Sequence, residues 1–101
     1  MPKDTLLIKA NKHADACAQL HAIYKRKNSD YGDAFSKSFK EYGMTMSCIR
    51  LEDKLNRLKA LTVRKKPQQV SDESIEDTLL DLANYAIMTV VELTVSKQEE
   101  K

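Results

Sequence analysis

Glycine and proline are scarce in this 101-residue chain, two of each, and tryptophan is absent. So few turn formers exclude a sheet-rich fold with many tight turns, and the abundance of Lys, Leu, Ala, Asp and Glu favours long helices. Cysteine is also sparse. Cys17 and Cys48 lack metal-ligand spacing, so they are expected to be reduced core residues rather than a disulfide or zinc set. An excess of one charge is missing as well: seventeen basic residues against fifteen acidic ones leave a net charge of +2, too little to argue for wrapping nucleic acid. No run is expected to approach the ~20 apolar residues that cross a bilayer, and no apolar signal core stands at the start. The expectation is a cytoplasmic protein without a membrane partner.

What is present is helical periodicity. The length suits one domain, residues 1–101 with a charged tail at about 96–101. Leu6, Leu7, Ala10, Ala14, Cys17, Leu20 and Tyr24 recur at three- and four-residue intervals and predict a first helix over about 5–24. Lys25 to Asp33 reads as a loop, because Asn28, Ser29, Asp30 and Gly32 disfavour helix. Residues 34–42 predict a short second helix with Phe35 and Phe39 one turn apart, ended by Gly43. A third helix, capped by Thr45 or Ser47, runs to about Val63 with Cys48, Leu51, Leu55, Leu58 and Thr62 as its buried stripe. After a basic connection broken by Pro67, Ser71 caps a fourth helix reaching about Val95. The expected fold is all-α and four-helix bundle-like. A chain this small gains by burying a face against a copy of itself, so a homo-oligomer, dimer or tetramer, is expected to complete it through helix four.

Helix four carries the chemistry. Ile75, Leu79, Leu82, Ala86, Val90 and Leu93 form one apolar stripe, and Leu80, Ala83, Ile87 and Val91 a second. Asp77, Asp81 and Asn84 stand on a further face at i, i+4 and i+7, where burial is expected. A buried carboxylate is costly unless it is paired or holds a metal. Two readings stay open. In one, Asp77 and Asp81 pair with Arg50, Lys54 or Arg57 of helix three. In the other, Asp53 of helix three joins Asp77 and Asp81 around Mg²⁺, a hard ion that takes carboxylate oxygens, waters and substrate phosphates. Lys54 and Arg57 would then neutralise phosphate oxygens, which suggests a nucleotide ligand.

The segments KNSDYGDAF at 27–35, RLEDKLNRL at 50–58 and ESIEDTLLDLANYA at 73–86 together resemble the nucleotide modification associated domain, type one, of phages and bacteria. That family is similar to the all-α MazG-like and dimeric dUTPase nucleoside triphosphate pyrophosphatases. The resemblance spans about residues 20–95. It implies a helical bundle, dimeric or larger, that binds Mg²⁺ through acidic helix pairs and cleaves a nucleotide to monophosphate and pyrophosphate. Asp53, Asp77 and Asp81 would be metal ligands and catalytic carboxylates. Lys27, Tyr31, Arg50, Lys54, Arg57 and Asn84 would contact the substrate, with Tyr31 against base or ribose. The acid set is smaller than the MazG-like one: Asn56 follows Asp53 at the third position, and Asp77 and Asp81 are four apart. The alternatives are a non-catalytic binder that sequesters a nucleotide or nucleotide signal, and a helical interaction module.

Overall fold

A computed structural model describes residues 3–31, 33–62 and 72–99. These form four helices and, among the described residues, no strand: α1 (Lys3–Tyr31), α2 (Ala34–Tyr42), α3 (Met44–Thr62) and α4 (Asp72–Glu99). The all-α expectation holds. The chain divides into two compact units, Met1–Asp33 and Ala34–Lys101. The expected cap Ser71 and the basic connection at 64–69 lie outside the described residues.

The first unit is α1 and the turn after it. The loop expected from Lys25 is helical as far as Tyr31. Lys25, Arg26 and Lys27 are good helix formers, and they carry the helix through the weaker Asn28-Ser29-Asp30 stretch. The chain turns at Asp33, whose φ of 60° is left-handed and whose N–H donates to the Asn28 carbonyl at 3.3 Å. Leu6, Leu7 and Ile8 are exposed, and so is Cys17, contrary to its expected place in a core. The Cys17 sulfur lies 3.9 Å from His13 Nδ1 one turn earlier.

The second unit is a three-helix assembly in which α3 against α4 is the largest contact and α2 packs on both. Gly43 joins α2 to α3 without an intervening loop. Its φ is 66°, its N–H donates to the Phe39 carbonyl at 2.7 Å, and its carbonyl accepts from Met46 N–H at 3.1 Å. One residue thus closes one helix and opens the next, as a left-handed glycine permits. This start replaces the Thr45 or Ser47 cap expected from sequence.

The inward line of α3 is Ser47, Leu51, Lys54, Leu58 and Leu61, all buried or half-buried. It shares Leu51 and Leu58 with the expected stripe, whereas Cys48, Leu55 and Thr62 are exposed. The inward line of α4 is Ser74, Thr78, Asp81, Tyr85, Met88, Thr89 and Glu92. Thr78 and Thr89 are buried because each hydroxyl donates at 2.8 Å to the carbonyl four residues back, Ser74 and Tyr85 respectively. That local bond satisfies the hydroxyl and leaves the threonine methyl to pack. Thr89 also shares a 2.9 Å hydrogen bond with Ser47, which is fully buried.

Of the apolar stripes expected on α4, Ile75, Leu80, Leu82 and Ala83 are half-buried, and the rest is exposed. Leu79, Ile87, Val90, Val91 and Leu93 are 40–61% exposed, although sequence periodicity assigns them to the core. Between Thr78 and Ser96 the only charges are Asp81 and Glu92. For that reason Ser74–Gln98 is, by length and composition, long and apolar enough to cross a membrane, contrary to the expectation that no run reaches that size. Both charges have partners: Ser36 donates to Glu92 at 3.1 Å, and Lys54 pairs with Asp81.

Candidate functional site at the α3 and α4 seam

The site is built on the inward edge of two helices. Lys54 lies on the half-buried line of α3 and reaches across to α4. Its Nζ stands 3.3 Å from Asp81 Oδ2, with side-chain exposures of 28% and 33%. The same Nζ lies 6.0 Å from the centroid of the Tyr85 ring, at the outer limit of a cation–π contact. Tyr85 in turn meets Phe35 of α2, with centroids 5.9 Å apart and planes tilted by 35°. Phe35 stacks on Phe39 at 6.5 Å, and Phe39 is buried. An ammonium, a carboxylate and a half-buried phenol therefore meet beside an aromatic pair.

Arg50 and Arg57 lie one turn either side of Lys54, and both are exposed. At 100° per residue they stand 40° and 60° round the helix from Lys54, on the same side of it. Three cations thus occupy one edge of α3. Asn84 is buried at 8% exposure on the neighbouring face of α4, as expected.

The acids are placed differently from the expectation. Asp77 is exposed, because the inward line of α4 passes through Ser74, Thr78 and Asp81 and leaves Asp77 at its margin. Asp53 is exposed on α3, 100° round the helix from Lys54. Among the described residues no three His, Cys, Asp or Glu side chains come together as a metal-ligand group. Asp81 has Lys54 against it, the ion-pair arrangement that sequence left open. Among the described residues of a single chain, Asp53, Asp77 and Asp81 are thus not gathered as one metal-ligand group.

Lys27 is exposed on α1. Tyr31 is the last residue of α1, and its side chain lies outside the described residues. Sequence reasoning missed Tyr85 as a neighbour of Lys54, and Phe35 as a neighbour of Tyr85. The visible signal was an aromatic residue four positions after Asp81, which places it on the same helical face.

The model of the family described as nucleotide modification associated domain 1 matches residues 27–93, about two-thirds of the chain. The chain belongs to that family. All three seam elements lie within the matched residues, α2 through α4 as far as Leu93, together with the end of α1. No curated protein and no solved structure matches this member of the family.

Proposed function

We propose that this member of the nucleotide modification associated domain 1 family is a nucleotide-binding protein. Its phosphate contacts come from Lys54, Arg50 and Arg57 at the α3/α4 seam. The observation that carries the reading is the Lys54–Asp81 pair. An ammonium held at a half-exposed edge by one carboxylate can be handed to a phosphate, whose greater charge and extra acceptor oxygens outbid a single carboxylate. The two arginines supply the planar, paired donors that phosphate oxygens favour. Binding without turnover is preferred because the carboxylates of one chain are not gathered as hydrolysis through Mg²⁺ would need.

Pyrophosphohydrolysis is the second reading, favoured by the exposed Asp53 and Asp77 near the seam edges, where they remain free to meet a metal brought in with a nucleotide. One experiment separates the two. The full chain is screened by thermal shift against ribo- and deoxyribonucleoside mono-, di- and triphosphates with and without Mg²⁺, and each stabilising nucleotide is then recovered by chromatography. Stabilisation with the nucleotide intact supports capture. Release of pyrophosphate replaces capture with hydrolysis, and no shift at millimolar nucleotide overturns both.

A further inference from the structure

Two contacts fix the register of α3 against α4. Ser47 meets Thr89 at 2.9 Å, and Lys54 meets Asp81 at 3.3 Å. Seven residues forward along α3 correspond to eight residues back along α4, so the two helices run antiparallel and in step. Tyr85 is midway between Asp81 and Thr89, which sets it on the Ser47 side of Lys54. Arg50 lies on that same side, four residues or about 6 Å along the axis from Lys54, and Arg57 lies on the other, three residues or about 4.5 Å away. The edge therefore has two unlike ends. One holds the half-buried Tyr85 ring and the aromatic chain that continues through Phe35 to Phe39. At the other, neither α3 after Lys54 nor α4 before Asp81 carries an aromatic residue, and Arg57 is the next residue of the cationic edge.

We propose that a nucleotide lies along this edge in one direction, with its base on the Tyr85 side of Lys54 and its phosphate tail on the Arg57 side. The orientation rests on nucleotide binding at the seam and adds a polarity to it. An aromatic ring offers a face on which any base stacks, whereas the negative face of the same ring repels a phosphate. The base therefore belongs at the Tyr85 end. The Lys54 ammonium, 6.0 Å from the ring centroid, is then placed for the phosphate nearest the sugar. Arg50, on the Tyr85 side, can share that first phosphate. Further phosphates extend away from the base, and Arg57 is the cation that waits for them with paired donors. Tyr85 thus holds the base, and Arg57 reads the length of the tail.

The test uses the full chain and calorimetric affinities for each ribo- and deoxyribonucleoside as its mono- and triphosphate, with inorganic tripolyphosphate as a base-free probe. Arg57→Ala should weaken triphosphates about tenfold or more, the loss of a charge-assisted contact, and monophosphates less than about threefold. Arg50→Ala should weaken both by the same factor. Tyr85→Leu should weaken nucleotides about tenfold and leave tripolyphosphate unchanged, while Tyr85→Phe, which keeps the ring, should bind as the parent does. Should Tyr85→Leu unfold, the two exposed arginines decide alone. A greater loss of triphosphate in Arg50→Ala than in Arg57→Ala reverses the polarity and overturns the proposal, and so does a Tyr85→Leu variant that loses tripolyphosphate as much as nucleotide. Nucleotide binding with equal losses in both arginine variants overturns the orientation alone. A parent chain that binds no nucleotide at millimolar concentration overturns nucleotide binding itself, and the orientation with it.

Discussion

Thr89 of α4 and Ser47 of α3 are joined by a 2.9 Å hydrogen bond, and Ser47 has no exposed surface. Two small hydroxyl residues thus meet across the two helices at a buried position. Ser47→Ala should cost about 1 kcal/mol, since Thr89 retains its bond to the Tyr85 carbonyl. Ser47→Leu should cost more, about 2–3 kcal/mol, by overpacking. Urea denaturation of both variants checks the order, and a Leu variant as stable as the parent would mean that the seam is loose.

Gly43 isolates the cost of left-handed backbone from the cost of crowding. A Cβ built there meets nothing within 4 Å, and φ is +66°. Gly43→Ala should therefore destabilise by about 1–2 kcal/mol through conformation alone. Gly43→Asn should recover much of that loss, because asparagine tolerates the left-handed region. Equal melting temperatures for the two variants would contradict this.

Lys54 and Asp81 separate direct phosphate binding from metal-mediated binding. Their ion pair is about one-third exposed, so breaking it should change stability by less than about 1 kcal/mol. Lys54→Met should weaken nucleotide binding by calorimetry about tenfold or more, the loss of one charge-assisted contact. Asp81→Asn should leave binding unchanged or tighten it, because it removes the competitor for the ammonium. Loss of binding in Asp81→Asn would instead make the carboxylate a ligand.

The aromatic chain from Phe39 through Phe35 to Tyr85 anchors α2. Phe39→Ala should cost about 3–4 kcal/mol by leaving a cavity. Phe35→Ala, at a half-buried position, should cost less, and it should alter nucleotide affinity if Tyr85 orients Lys54. Paired denaturation and calorimetry distinguish the two roles.

Much of this was written in the order of residues. The scarcity of glycine and proline pointed to an all-α fold, Gly43 marked the end of α2, and the segments at 27–35, 50–58 and 73–86 carried the family resemblance. Local propensity and capping act over a few residues, so one chain suffices to read them. Helical wheels placed Leu51, Leu58, Leu80, Leu82 and Asn84 on covered faces but misjudged others. Cys48, Leu79, Ile87 and Val90 are outward, whereas Ser47, Thr78 and Thr89 are inward. Periodicity shows that a helix has an apolar side, but not which neighbour that side meets.

The same limit governed the site. That Asp81, Lys54 and Arg57 stand on two helices in a repeating pattern was determined by sequence alone. Only tertiary structure decided that Lys54 takes Asp81 at 3.3 Å, that Tyr85 stands beside them, and that Asp53 and Asp77 stay outside the pair. The physical reason is rotation of one helix about its axis, which costs nothing in local hydrogen bonds yet exchanges buried residues for exposed ones. Packing sets that angle. Here the hydroxyls of Thr78 and Thr89 satisfy themselves within α4 and let a partly polar line turn inward, while Leu79, Ile87 and Val90 stay exposed.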